Sequence, residues 1–516
     1  MNKPLWLDNY DLNNFPQLTN DLETDVLVIG GGITGITTAY LLGEEGYRVT
    51  LVEAEKLLHG TTGHTTAKVT LQHSLVYKTL IKKHGINKAQ AYKDSHIIAF
   101  NLIKDNIKNL EINCDYETVT SYVYTESDKY INNIEKEYEA SQKLGINSFI
   151  TENLSLPYKV KCALGFKEQA HFHVVKYLTP LIDDFSKNDD CYIFEKSKVF
   201  KVKEDNNMCH TYFTSGVKVK SRHVVVASHY PVNDPHNFYF TKLKPSMTYL
   251  ISAKYNVEFE NADYINVEKP IRSIRTHPYN DERLILIGGE NHQCGHTRPD
   301  VKHYSNLENF GKKHFAIEEP LYRFSTQDFY TFDNLPYIGK INPKSPQIIV
   351  ATGYKKWGML TSHVAAILAR DLITNKNTEY EKLYKPTRIT DKLSCKFFSY
   401  NLKSVGRLVG GRLKKMPKEF DVSCLLKHQM PKEFDVSEGM GKIVSYKGKK
   451  YGVYKDENSE VFIVNVVCPH LKCILTFNNE HKTYDCPCHG SRFTYKGKYL
   501  DGPAIKNLER INFRDL

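Results

Sequence analysis

A strand, a glycine-rich turn, a helix and a second strand follow one another near the N-terminus, and this order restricts the fold more than any other feature. Residues 24–29 have the apolar pattern of a buried strand, residues 36–45 that of a helix, and the strand at 48–52 ends on Glu53. The glycines between the first strand and the helix stand in the G-x-G-x-x-G spacing, at Gly30, Gly32 and Gly35. This order predicts an α/β domain of the Rossmann type.

Each part of this motif has a chemical task. The first glycine allows a tight turn, the second lets the backbone approach a pyrophosphate, and the third lets the helix pack on the sheet. The helix N-terminus offers free N–H groups to phosphate oxygens. Glu53 lies close to the spacing expected for a carboxylate that binds ribose hydroxyls. We predict a dinucleotide site at Gly30, Gly32, Thr34, Gly35 and Glu53, and the motif alone leaves FAD and NAD as alternatives.

Two short motifs near the C-terminus bring two cysteines and two histidines together. Cys468 and His470 form a C-x-H pair, and Cys486 and His489 form a C-x-x-H pair after fifteen intervening residues. Two thiolates and two imidazoles suit a [2Fe–2S] cluster in which one iron binds the cysteines and the other the histidines. Zinc also binds two cysteines and two histidines. In zinc fingers, however, one pair is two cysteines and the other is two histidines, whereas each pair here contains one cysteine and one histidine. We therefore predict these four residues as cluster ligands.

The C-terminal region, residues 438–516, resembles the Rieske family, because Gly490-Ser491 and Gly502-Pro503-Ala504 flank the motifs as they do there. The resemblance implies an all-β domain and a disulfide between Cys473 and Cys488 that links the two cluster loops. It also implies that Ser491 donates a hydrogen bond to a cluster sulfur. Phe493 stands where high-potential relatives have a tyrosine donor, so we expect a lower cluster potential here.

Three segments resemble the D-amino-acid-oxidase, glycine-oxidase and sarcosine-oxidase superfamily of flavoproteins: residues 59–67 (HGTTGHTTA), 333–339 (DNLPYIG) and 349–359 (IVATGYKKWGM). The resemblance covers about residues 20–385 and implies FAD. A flavin accepts two electrons and releases them singly, which suits a chain with one nucleotide site and an iron–sulfur cluster. The implied FAD contacts outside the glycine motif are Thr61, Thr62, His64, Gly353, Gly358 and Met359.

The two resemblances together predict the domain layout. The first 390 residues form an α/β Rossmann-type FAD-binding domain with an interleaved α+β substrate domain. The FAD-binding parts are expected at about 20–80, 160–240 and 325–385, and the substrate parts at about 85–160 and 240–325. A second strand–glycine–helix unit is missing, because Gly288-Gly289 follows a strand but precedes no helical pattern.

His64 occupies the position of the flavin-linked histidine in the dimethylglycine-dehydrogenase branch of this superfamily. The segment departs from that branch, because Gly63 stands where the branch often has tryptophan and Lys68 follows Ala67. A histidine in a threonine-rich loop can also simply bind phosphate or backbone. We expect the loop to contact FAD and leave a covalent bond as the alternative.

A basic linker, residues 391–437, separates the two modules. Residues 416–423 recur as 430–437, a single tandem copy that is too short for a repeat architecture. Residues 392–418 hold eight Lys and Arg and no Asp or Glu, with apolar residues at helical spacing between them. A helix packed on the flavin module with a solvated basic face is the favoured interpretation. Peripheral contact with an anionic membrane or an acidic partner is the alternative.

These features predict an FAD-dependent dehydrogenase or oxidase of a small organic substrate, with an amine as the candidate class. Electrons would pass between FAD and the Rieske cluster, to or from an unknown partner. An NAD(P)H-dependent ferredoxin-reductase-like component and a non-catalytic redox sensor or adaptor are the alternatives. The catalytic residues are unknown, and Lys355 and Lys356, in the loop before Gly358, are weak candidates for holding a substrate carboxylate.

Composition agrees with a globular cytoplasmic protein. No apolar run is long enough for a transmembrane helix, and the N-terminus does not resemble a signal peptide. The eleven cysteines are an odd number, which argues against a secreted disulfide framework. The net charge of +11 is moderate for this length, and we expect no nucleic-acid partner.

Overall fold

The computed structural model of the chain describes residues 4–8, 10, 12–232, 237–296, 301–376, 378–388, 395–413 and 434–512. It divides into two compact units, each made of several chain segments. The first unit comprises Met1–Asn237, Met247–Asn291 and His303–Thr390. The second comprises Phe238–Ser246, His292–Lys302 and Asp391–Leu516. The second unit therefore includes two short segments that come from within the range expected for the flavin module.

Both units contain many strands. In chain order they are β1 (Leu22–Ile29), β2 (Val49–Val52), β3 (Lys68–Val69), β4 (Glu117–Thr125), β5 (Ser148–Thr151), β6 (Cys162–His171), β7 (Cys191–Phe194), β8 (Val199–Asp205), β9 (Met208–Phe213), β10 (Lys218–Val226), β11 (Lys244–Ala253), β12 (Asp263–Asn266), β13 (Arg272–Tyr279), β14 (Glu282–Gln293), β15 (Tyr322–Tyr330), β16 (Tyr337–Asn342), β17 (Ser345–Thr352), β18 (Gly441–Tyr446), β19 (Lys449–Lys455), β20 (Val461–Asn465), β21 (Thr476–Asn478), β22 (Thr483–Asp485), β23 (Arg492–Thr494) and β24 (Tyr499–Asp501).

The helices follow the same chain order. They are α1 (Ile33–Glu44), α2 (Tyr77–His84), α3 (Ile86–Asn109), α4 (Ile131–Lys143), α5 (Val174–Ser186), α6 (Tyr239–Lys242), α7 (His303–Phe315), α8 (Gly358–Ile373), α9 (Glu381–Tyr384) and α10 (Cys395–Leu413). Short 3-10 turns cover Leu5–Leu7, Thr61–His64 and Asp128–Tyr130.

An eight-stranded sheet forms the nucleotide-binding part of the first unit. Its main path is β16-β17-β10-β1-β2-β7, and β9 and β8 extend it from β10. The four neighbours β17, β10, β1 and β2 run parallel. Val26 to Ile29 are all buried, as expected for a parallel strand that is covered on both faces. This sheet, with α1 after its first strand, confirms the predicted Rossmann-type fold.

A nine-stranded sheet forms the rest of the first unit, in the order β15-β11-β14-β13-β12-β4-β6-β3, with β5 paired to β6. Strand β6 belongs to this sheet, although residues 160–171 were expected in an FAD-binding part. The sequence of β6 has the pattern of a buried strand in either sheet, and its pairing with β4 determines that it belongs to this one. Gly288 and Gly289 lie inside β14, so they form no nucleotide-binding turn. Both sheets share one hydrophobic core, which explains why they form a single unit.

The second unit is rich in short antiparallel strands, as predicted for a Rieske domain. Strands β18–β20 form a three-stranded sheet and β21–β24 a four-stranded sheet. Helix α10 belongs to this unit, whereas the sequence favoured packing on the flavin module. The first copy of the tandem repeat lies outside the described residues, and the second is described only from Phe434, which is buried. Within the described part of the chain, no helix is long and apolar enough to cross a membrane.

Candidate functional site

The predicted nucleotide-binding turn lies between β1 and α1. Gly30 has φ +116°, and a Cβ on it would lie 2.5 Å from Ala227 O. A Cβ on Gly35 would lie 1.8 Å from Gly30 O, so this position has no room for a side chain. Helix α1 has no acidic residue in its first turn and no side-chain cap on Gly32. The partial positive charge at the N-terminus of such a helix suits a pyrophosphate.

Glu53 directly follows β2 and lies beside this turn. Its Oε2 accepts a hydrogen bond from Gly31 N at 2.7 Å, and its Oε1 accepts one from Glu55 N at 3.0 Å. Burial raises the pKa of the Glu53 carboxyl, and these backbone hydrogen bonds partly oppose the shift. The carboxylate is thus held next to the glycine turn, which fits the predicted ribose-binding position.

The predicted flavin loop forms a 3-10 turn, Thr61–His64. Thr62 Oγ1 accepts a hydrogen bond from Ile33 N, the first residue of α1, at 3.0 Å. His64 is half-buried, and its Nδ1 lies 2.8 Å from Gly60 O. A Cβ on Gly63 would lie 2.6 Å from Leu58 O, so the tryptophan of the covalent branch does not fit here. The structure therefore joins this loop to the glycine motif.

The third predicted segment, between β17 and α8, reaches the same place. Thr34 Oγ1 lies 3.0 Å from Tyr354 Oη and donates to Ser362 Oγ at 3.0 Å. Gly353 has φ +79° in the turn, Gly358 begins α8, and Met359 is buried. Helices α1 and α8 are thereby tied together around the residues predicted to bind FAD.

The segment 333–339, on which the resemblance partly depended, has a structural role here. The Asp333 carboxylate accepts two hydrogen bonds from Arg388, at 2.6 and 2.8 Å. Arg388 also donates to Pro336 O at 2.9 Å. Burial raises the pKa of Asp333, but the bonds from Arg388 outweigh it and lower the pKa below its ordinary value. This buried ion pair fixes the turn that leads into β16.

The loop before α8 carries the two lysines that were weak catalytic candidates. Both have positive φ angles, of 56° and 71°. The Lys355 backbone N–H donates to Phe329 O at 3.1 Å. The Lys356 ammonium donates to Asn291 Oδ1 at 2.6 Å and to Thr248 Oγ1. Desolvation lowers the pKa of half-buried Lys356 to about 7, although the charge of Asp328 opposes the shift.

The four predicted cluster ligands converge within the second unit. The ring centroids of His470 and His489 are 5.3 Å apart. The hydrogen bond between the two cysteines lowers the pKa of the Cys468 thiol to about 7, although burial opposes this shift, and it raises the pKa of Cys486 well above its ordinary value. Burial lowers the pKa of His470 to about 4 and that of His489 to about 3. Neutral imidazoles and a readily ionised thiol are the forms that bind metals.

A buried nitrogen without a partner supports this ligand set. His489 Nδ1 is buried and has no hydrogen-bond partner among the described residues. Such an atom is costly to bury unless it binds something, and a metal ion would satisfy it. Cys473, Cys486 and Cys488 also have their sulfurs within 4.8 Å of one another. Cys473 and Cys488 are joined in a disulfide, so they have no thiolate to offer.

The disulfide confirms the predicted pairing of Cys473 with Cys488, at an S–S distance of 2.09 Å. Ser491 is fully buried, lies in hydrogen-bonding contact with the Cys468 thiol, and accepts from Ala504 N at 3.1 Å. Phe493 is fully buried in the core of the same domain. These positions are consistent with the expected donor at 491 and the expected loss of a donor at 493.

Sequence analysis did not identify three residues that lie near the cluster motifs. The ring centroid of Phe240 lies 5.1 Å from that of His470 and 5.1 Å from that of His489. Tyr400, on α10, donates to Cys488 O at 2.8 Å, and Ser404 donates to the same oxygen at 3.4 Å. No local pattern could have found these residues, because each contact joins segments that are far apart in the chain.

Comparison with known proteins agrees with both modules. The model of the FAD dependent oxidoreductase family matches residues 25–372, and that of the Rieske [2Fe-2S] domain matches residues 427–512.

The Rieske 2Fe-2S iron-sulfur protein YhfW of Bacillus subtilis is 36% identical over 508 residues, which cover 98% of this chain and 97% of that protein. Gamma-glutamylputrescine oxidoreductase of Escherichia coli is 28% identical over 131 residues, which cover 25% of this chain and 30% of that enzyme. The structure of glycine oxidase from Geobacillus kaustophilus superposes with a TM-score of 0.59 at 17% identity, covering 71% of this chain and 99% of the oxidase.

Proposed function

Because the chain belongs to the FAD dependent oxidoreductase family and also contains a Rieske domain, we propose that it oxidises a small organic substrate and passes the electrons between FAD and the cluster. Bound FAD supplies two-electron chemistry and the cluster carries one electron at a time. The observation that carries the proposal is that one chain holds a fitting set of residues for each cofactor.

The proposed FAD contacts are the residues of the three segments that meet at α1. The N-terminus of α1 and Gly32 bind the pyrophosphate, and Glu53 binds the ribose. Thr61, Thr62 and His64 border the flavin, together with Gly353, Gly358 and Met359. The hydrogen bonds from Thr34 to Ser362 and from Ile33 to Thr62 support this arrangement, because they keep these segments in place.

The proposed cluster ligands are Cys468 and Cys486 on one iron and His470 and His489 on the other. The partnerless Nδ1 of His489 supports the assignment, as do the neutral imidazoles. The buried Ser491 hydroxyl holds the Cys468 sulfur, and the disulfide fixes the two loops that carry the ligands.

An amine or amino acid is the proposed substrate class, with Lys356 as the residue that holds an anionic group of the substrate. The partial similarity to gamma-glutamylputrescine oxidoreductase supports an amine. Lys356 lies two residues before the start of α8, and its ammonium donates hydrogen bonds to Asn291 and Thr248. A half-buried cation of this kind can bind a carboxylate directly.

The cytoplasm is the proposed location. Seven cysteines of the described residues are buried and form no disulfide, including the two proposed ligands. Free thiols of this number are typical of proteins from a reducing compartment.

An anaerobic screen of amines and amino acids tests the function. We expect one class of substrate to bleach the flavin and then to produce the EPR signal of a reduced Rieske cluster in the same sample. Flavin bleaching that never produces the cluster signal would contradict electron transfer between the cofactors. A purified protein that holds zinc and no acid-labile sulfide would contradict the cluster itself.

A further inference from the structure

A phenyl ring covers the two histidines that are proposed to bind one iron. Phe240 packs edge-to-face on both His470 and His489, with interplanar angles of 75° and 82°. His489 is only 6% exposed, and His470 and Phe240 are half-buried. The three rings therefore form one apolar contact on the histidine side of the cluster site.

Helix α10 holds this ring and the cluster loop at the same time. Asn401 Nδ2 donates to Thr241 O, the residue after Phe240, at 3.1 Å. One residue earlier on the helix, Tyr400 donates to Cys488 O at 2.8 Å. Tyr239, on the other side of Phe240, is fully buried. The backbone next to Phe240 is thus held by the hydrogen bond from Asn401 and by the buried Tyr239, and this fixes the position of the Phe240 ring against the histidines.

A second segment contacts Pro487, which precedes Cys488 in the cluster loop. Gly295 has φ +72°, and a Cβ on it would lie 2.5 Å from Pro487 N, so the two backbones are in close contact. His296 Nε2 lies 3.1 Å from Pro487 O, and Thr476 Oγ1 donates to Gly295 O at 3.2 Å. The cluster loop is therefore covered by residues from two segments, 238–246 and 292–296, which belong to the second unit although they precede the Rieske domain in sequence.

We propose that Phe240 covers the histidine side of the cluster site and thereby slows electron exchange with dissolved redox partners that approach from that side. The inference rests on the ligand assignment of the proposed function. It makes Phe240 a specificity-determining residue, because it decides which electron donors and acceptors reach the cluster. The ring also keeps water from the cluster, and solvent exposure is one of the factors that set the potential of such a site.

The test uses the full-length holoprotein with its cluster chemically reduced under anaerobic conditions. Dissolved ferricyanide then removes one electron from each reduced cluster and becomes ferrocyanide, and the second-order rate constant is measured by stopped flow. The variants are Phe240→Ala, which removes the cover, and Phe240→Leu, which keeps an apolar one. Phe238→Ala is the matched control, because Phe238 is 56% exposed and its ring centroid lies 5.9 Å from that of Phe240.

We expect Phe240→Ala to raise the rate constant severalfold and to raise the cluster potential, because water stabilises the added negative charge of the reduced cluster better than a phenyl ring does. Phe240→Leu and Phe238→Ala should remain close to wild type. If Phe240→Ala does not retain iron, Phe240→Val takes its place, with a smaller increase expected.

An unchanged rate constant in the cluster-containing variant would overturn the proposal, and so would an equal increase in Phe238→Ala. The assay needs neither an organic substrate nor transfer from the flavin. Its outcome is therefore independent of the proposed oxidation, and an EPR spectrum recorded before mixing separately reports whether the cluster is present.

Discussion

The two cofactor sites are assembled over very different distances along the chain. In the flavin module, Thr34 bonds to Ser362 across 328 positions, and Thr61 bonds to Gln327 across 266. In the Rieske domain, the four proposed ligands and Ser491 all lie between residues 468 and 491. The flavin site therefore depends on the tertiary fold of the whole first unit, whereas the proposed cluster ligands come from two loops joined by a disulfide.

This difference predicts that the two sites can be damaged separately. A change in the cluster loops should remove the cluster and leave FAD bound. A change in a long-range contact of the first unit should weaken FAD binding and leave the cluster intact.

The largest expected effect is the loss of the cluster in Cys468→Ser. A serine oxygen is a poor replacement for a thiolate that is one of only four ligands, so the purified variant should contain no iron and no acid-labile sulfide. Its FAD content should equal that of wild type. Metal analysis and the EPR spectrum of the reduced protein measure the first result, and flavin released by denaturation measures the second.

Cys162→Ala is the control for this variant, because Cys162 is a buried free cysteine of the first unit. It should keep both cofactors. A Cys468→Ser protein with a full complement of iron would refute the ligand assignment, and loss of FAD together with the cluster would refute the separation of the two sites.

Lys356→Met should lower kcat/KM for a carboxylate-containing substrate by about ten- to hundredfold, since a hydrogen bond to a charged group contributes about 1.5–3 kcal/mol. The pKa of Lys356 is lowered to about 7, so the ammonium form is lost as the pH rises through that value. The wild-type kcat/KM should therefore fall above about pH 7, and the fall should be absent in the variant.

Lys355→Met is the neighbouring control and should keep the wild-type pH profile. A wild-type profile that rises through pH 7 would contradict the role in binding an anion.

Thr34→Val should raise the dissociation constant of FAD by up to about thirtyfold, because it removes two hydrogen bonds of about 1 kcal/mol each. These bonds connect α1 to Tyr354 and to Ser362 on α8. Thr37→Val, on the same helix, is the matched control, because the buried Thr37 Oγ1 has no partner within the described residues. Equilibrium titration of the apoprotein with FAD measures both. Equal effects of the two substitutions would show that the long-range contact does not support the flavin site.

Phe493→Tyr should have the smallest effect, a rise of roughly 40 mV in the cluster potential if the new hydroxyl contributes a hydrogen bond of about 1 kcal/mol. The physical reason is that a donor to a cluster sulfur stabilises the electron-rich reduced form. Phe462→Tyr, in the same hydrophobic core, is the control and should leave the potential unchanged. Protein-film voltammetry gives both values, and a decrease for Phe493→Tyr would count against the expectation.

The difference in chain distance also explains what the sequence could predict. The glycine turn and the cysteine–histidine pairs are local patterns, so their spacing predicted the Rossmann-type fold and the proposed ligands. The pairing of β6 with β4, the placement of α10 in the second unit and the contact of Phe240 with the histidines are long-range events. The aromatic residues around Phe240 form no recognisable motif, so the sequence of this segment does not indicate that it contacts His470 and His489.

Electron exchange between the two cofactors within one chain is the central claim, and flash photolysis tests it most directly. A photochemical pulse introduces less than one electron per chain, and flavin and cluster absorbance are followed as the electron equilibrates. We expect the absorbance of one cofactor to show reduction while that of the other shows oxidation, with a first-order rate constant that is independent of protein concentration. That phase should disappear in Cys468→Ser. A rate proportional to protein concentration, or no exchange at all, would contradict it.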